Sequence, residues 1–102
     1  MAAKLDDKLE VDTFCLVRVK GIRNPVLVAI TGFSEEDAFV VFYKPVKRNN
    51  LIWKADSAPP QWLSRTKIIA SGIPADMQED NEEEYFLLRK SPLKTLEELG
   101  LK

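Results

Sequence analysis

Residues 25–43 read PVLVAITGFSEEDAFVVFY: two apolar runs, 25–32 and 38–43, joined by the short acidic link 33–37. Runs rich in Val, Ile and Phe fit a pleated, half-buried surface, and a short polar link between two such runs signals a β-hairpin. Both runs are apolar on both faces. An antiparallel sheet open to water keeps one face polar. The hairpin therefore needs a cover on its outer face as well as a core beneath its inner one.

Working outward, residues 13–20 (TFCLVRVK) alternate Cys15, Val17 and Val19 against Phe14, Leu16, Arg18 and Lys20, the period of a strand. Gly21-Ile-Arg-Asn-Pro25 reads as the turn between this strand and the hairpin. Residues 44–50 form a basic loop with one proline, residues 51–55 resume a strand, and residues 66–71 supply another. The adjacent Pro59 and Pro60 do not fit a central strand, so Trp62 and Leu63 after them are expected to form one packed helical turn. Residues 72–84 read as an acidic connector. Residues 84–89 read as a sixth strand. A C-terminal helix follows, with Ser91 as N-cap, Pro92 at its first position, Gly100 at its stop, and Leu93, Leu96 and Leu99 along one side.

Five strands with a short turn before the last resemble the layout of an SH3-like barrel, the architecture of Tudor, chromo-barrel and KOW-type modules. The glycine-centred KOW signature is not matched around Gly21 or Gly32, and the resemblance is one of architecture alone. An OB-fold carries a helix between its third and fourth strands, and 44–50 is too short for one. The expected fold class is all-β, mainly strand with a short C-terminal helix: a small SH3-like five-stranded barrel extended by a C-terminal strand. The expected divisions are an N-terminal arm at 1–12, the barrel at 13–74, and an acidic connector with strand and helix at 75–102. That last segment is the expected lid over the outer face, with Leu93, Leu96 and Leu99 each burying a side chain. A homodimer or a partner protein is the alternative cover.

At 102 residues and 45% apolar composition, one domain can build a core without staples. The single cysteine, Cys15, permits no intramolecular disulfide and points to a reducing compartment, so a cytoplasmic location is expected. No window reaches the ~20 apolar residues of a membrane helix, and no membrane partner is expected. The net charge of −1 conceals segregation. Residues 13–74 hold nine Lys/Arg against four acids, while 1–12 and 75–102 are net acidic. The body is basic between acidic ends.

The chain has no histidine. Ser/His, Cys/His and His-metal sites are thereby excluded, and mid-strand Cys15 reads as a buried, inert thiol. The acids at 79–84 do not follow the calcium-loop pattern. No catalytic residue, metal site or cofactor is expected, and the chain reads as non-enzymatic. Nine aromatics and two doubly apolar strands suit a module that recognises another protein or peptide. Tyr43, Trp53, Phe33 and Trp62 are the expected anchors, since Trp and Tyr dominate interface hot spots. A sharper form is an aromatic cage for a methylated lysine or arginine, walled by Asp37 or Asp56. The alternative is single-stranded DNA or RNA, held by Lys44, Lys47, Arg48 and Lys54 beside stackable rings, with an acidic tail that modulates binding. Residues 79–84 read as a solvated loop, or else as a phosphate-mimicking segment that regulates a partner.

Overall fold

The hairpin forms, with β2 at Val26–Phe33 and β3 at Asp37–Val46, in a computed structural model that describes residues 11–46, 49–80 and 82–100. Its tip is closed by the Ser34 N–H donating to the Asp37 carbonyl at 2.8 Å and the Asp37 N–H donating to Ser34 Oγ at 3.2 Å. β1 (Phe14–Val17) pairs antiparallel with β2 on one edge and with β6 (Ile68–Ser71) on the other. β4 (Asn49–Ala55) pairs with the end of β3. The order β6-β1-β2-β3-β4 is that of a small meander barrel, and the antiparallel sheet curls into a half-barrel. The chain is mainly β, with one short C-terminal helix.

Two elements differ from expectation. Gln61–Ser64 is a strand, β5, paired with the first half of β3 (Phe39 opposite Trp62, Ala38 opposite Leu63). The helical turn lies just after it, a 3-10 turn at Arg65–Lys67 capped by Ser64. Pro59 and Pro60 interrupt the strand instead of ending it. β4 and β5 lie along the same edge of β3, and residues 56–60 loop out between them where proline removes ladder donors. The second difference is in the acidic segment. Ala75–Asp80 is a strand, β7, which forms a hairpin with β8 (Glu83–Leu88), and β8 pairs in turn with β4.

The two faces of the meander bury separate clusters. One holds Cys15, Val17, Val28, Ile30, Ala38 and Val40, closed over by Leu63 and Ile68. The other holds Leu16, Leu27, Trp53, Ala70 and Leu88, edged by Phe14, Tyr43 and Ala75. The doubly apolar strands thus receive their second cover from the C-terminal hairpin through Leu88. Each fully buried Leu or Val contributes about 1.5–3 kcal/mol before the entropy of ordering is counted.

The helix α1 (Pro92–Leu99) has the expected caps. Ser91 Oγ accepts from the Lys94 N–H at 3.2 Å, and Gly100 ends the helix in the left-handed region at φ 75°. It is a poorer lid than its leucine spacing suggests. Leu96 is buried, but Leu93 and Leu99 are exposed. A three-residue spacing drifts around a helix of 3.6 residues per turn, so three such positions do not share one contact line. Among the described residues no helix is long and apolar enough to cross a membrane.

Candidate functional site

At the end of the half-barrel opposite the β2–β3 tip, the β1–β2 loop, the end of β3, the 56–60 detour and the first turn of α1 surround a cavity of about 420 Å³. Its wall is largely apolar: Val19, Ile22, Pro25, Val26, Phe42, Tyr43, Pro45, Trp53, Pro92 and Leu93. Asn24, Lys44, Asp56 and Gln61 are its polar side chains. The volume falls in the range of pockets that hold a small molecule or a few side chains.

Local sequence explains the shape. Gly21 adopts φ 87°, which a side-chain-bearing residue rarely takes, and the Ile22 N–H donates to the Val19 carbonyl at 3.0 Å. That tight turn places Ile22 beside Val19 on the cavity wall. Buried Pro25 then leads into β2. Pro45 sits opposite Trp53, next to a register shift in the β3–β4 ladder, the kind of place where a strand proline is tolerated. The Asp56 N–H donates to the Phe42 carbonyl at 2.9 Å, and Asp56 Oδ1 accepts from the Ala58 N–H at 3.2 Å. Asp56 therefore turns the chain into the proline detour as well as bringing a carboxylate to the wall.

The four expected anchors are divided. Tyr43 and Trp53 line the cavity. Trp53 is only 3% exposed and belongs to the outer-face cluster. Tyr43 packs edge-on against Phe14 and Phe86, with centroids 5.4 Å away in each case. Burial pushes the Tyr43 hydroxyl above the ordinary tyrosine range, and the Glu84 carboxylate pushes it the same way. Phe33 and Trp62 do not line the cavity. Phe33 is exposed near the hairpin tip with the Arg65 guanidinium 5.7 Å from its ring centroid. Trp62 is 57% exposed and leans on Phe39 at 5.1 Å.

The basic residues divide too. Lys44 lines the cavity. It stands directly opposite Lys54 across the β3–β4 pair, where two like charges repel. Lys54 lies 3.9 Å from Glu83. Hydrogen bonding from the Tyr85 hydroxyl at 2.7 Å, with help from Lys54, holds the Glu83 carboxyl below the usual range. Lys47 and Arg48 lie outside the described residues. For the cage reading, Asp56 is on the wall and Asp37 is at the distant tip. Among the described residues no group of three or more His, Cys, Asp or Glu is placed to hold a metal ion.

Ile22, Pro25 and Leu93 contribute to the site without having been expected there. The signal for Ile22 was present in the sequence: a large aliphatic residue in the polar turn 21–25 has no place in a core and needs another use. No protein-family model, curated protein or solved structure matches the chain. Function is argued from the site itself.

Proposed function

We propose that the protein is a small, non-enzymatic binding module that takes a side chain of a protein or peptide partner into this cavity. The observation that carries the reading is the pairing of an apolar wall with exposed aliphatic residues at its mouth. Ile22 is 52% exposed and Leu93 45% exposed, and they approach the cavity from different elements. Apolar side chains held in water around a preformed cavity lose that exposure when a partner binds. The single cysteine supports a reducing compartment, with the cytoplasm as the expected location.

Capture from a native lysate of the source cells, with and without nuclease, tests the reading when run beside an Ile22→Asn/Leu93→Asn variant. Both positions are exposed, so the fold survives the changes. A protein retained through nuclease by the wild type and lost by the variant supports the peptide reading. Loss of all captured material after nuclease favours nucleic acid, a reading supported by Lys44 standing opposite Lys54.

A further inference from the structure

We infer that the segment the cavity receives is acidic: an apolar anchor residue flanked by Asp or Glu. This rests on the reading of the cavity as a partner site and adds the chemistry of the partner. The argument is the placement of charge along the β2–β3 hairpin. Glu35, Glu36 and Asp37, three of the four acids in residues 13–74, sit at or beside its tip. The cavity is at the other end of β2, an eight-residue strand, and so roughly 25 Å away. At that end Lys44 lines the wall, and Lys20 and Arg23 stand exposed on the same loop as Ile22. None of the three forms an ion pair with a described residue.

Among the described residues, the acids of the C-terminal hairpin and helix that form ion pairs do so with residues that do not line the cavity, while the Glu84 carboxylate acts on the Tyr43 hydroxyl at its wall. Glu83 faces Lys54, Asp76 faces Arg89, and Glu98 pairs with Lys90. Among the described residues that line the cavity, Asp56 alone carries a carboxylate, and one of its oxygens already accepts the Ala58 N–H. Lys44 on the wall and Lys20 and Arg23 on the loop that carries Ile22 outnumber the committed Asp56 and the Glu84 carboxylate near Tyr43, which leaves this end net positive among the described residues. An apolar side chain fills the cavity and its carboxylate neighbours meet Lys20, Arg23 and Lys44. Charges at the edge of an interface set partner choice and association rate more than they add raw affinity. A basic segment meets repulsion from the same three residues.

Selection of a random-peptide display library on the full-length protein tests this directly. The parallel baits are Ile22→Asn/Leu93→Asn and Arg23→Glu/Lys44→Glu, each checked for wild-type circular dichroism. The expected result is enrichment of peptides with an apolar residue among Asp and Glu. Those peptides lose about tenfold in affinity on the charge-reversed bait, weaken as salt rises, and vanish from the Asn bait. The charge-reversed bait enriches Lys and Arg instead. Apolar peptides with no acidic bias, lost on the Asn bait, overturn this inference and leave the cavity reading standing. No enrichment, or enrichment indifferent to the Asn bait, overturns both. Salt-sensitive binding of a labelled single-stranded oligonucleotide in place of any peptide also overturns both, in favour of nucleic acid.

Discussion

The two tryptophans stand on the same face of the same strand edge and have opposite fates. Trp53 pairs with Pro45 and Trp62 with Phe39, and strand alternation sets residues 39, 43 and 45 on one side of β3. Trp53 disappears because β8 pairs with its strand and brings Phe86 opposite it, while Leu88 joins its cluster. Trp62 stays in water because, among the described residues, β5 is paired by β3 alone. Burial here follows from where the C-terminal hairpin stops, and not from the residue or its neighbours in sequence. The outer face is thus a core at one end and an accessible aromatic surface at the other.

The comparison breaks most sharply under alanine substitution. Trp53→Ala leaves a cavity where Leu16, Leu27 and Leu88 meet, and is expected to cost about 3–5 kcal/mol of unfolding free energy. Trp62→Ala forfeits little beyond the Phe39 contact, about 0.5–1.5 kcal/mol. Urea denaturation of the two variants measures both. Equal losses would mean that Trp62 is covered in solution, by a second copy or a partner.

Leu88→Ala asks whether the hairpin is what protects Trp53. The truncation is expected to cost about 2–4 kcal/mol. In the Trp62→Phe background, where Trp53 is the sole tryptophan, it should also shift emission to the red and raise acrylamide quenching. A destabilised protein whose Trp53 emission stays unchanged would show that β8 is not the cover.

Much of this was legible in residues 25–43. Apolar runs, a polar link and alternating positions dictate a hairpin, and its two apolar faces require a second layer. The cap residues Ser91, Pro92 and Gly100 were equally plain, because each satisfies a local backbone need that tertiary context does not change. Less could be read where pairing, not pattern, makes the structure. Residues 75–80 (ADMQED) carry only Ala75 and Met77 as apolar residues, too few to announce a strand, yet β8 supplies a backbone ladder for them and the side chains of residues 76–79 stand in water. The prolines before Trp62 and Leu63 suggest a helical turn there, while the waiting edge of β3 makes them strand. The site was half legible. Aromatic and basic character point to Tyr43, Trp53 and Lys44, but Ile22 and Leu93 reach the same cavity from a loop and a helix far apart in sequence.

Tyr43 gives the smallest effect and the finest test of where core becomes site, since it belongs to the outer-face cluster and to the cavity wall at once. Its hydroxyl titrates above the ordinary value near 10 because burial disfavours the phenolate, with Glu84 adding repulsion. A folded-state pKa raised above the unfolded one gives a contribution fully present below about pH 10 and lost as pH climbs through the folded value. The wild type should therefore lose stability relative to Tyr43→Phe over that alkaline window, and the two should run parallel below it. Urea midpoints measured from neutral pH to beyond pH 10 provide the comparison. Parallel curves throughout would mean that Tyr43 is hydrated in the folded protein. The aromatic contacts with Phe14 and Phe86 would then not seal this end of the outer-face cluster, and the boundary of the cavity would lie deeper, at Trp53.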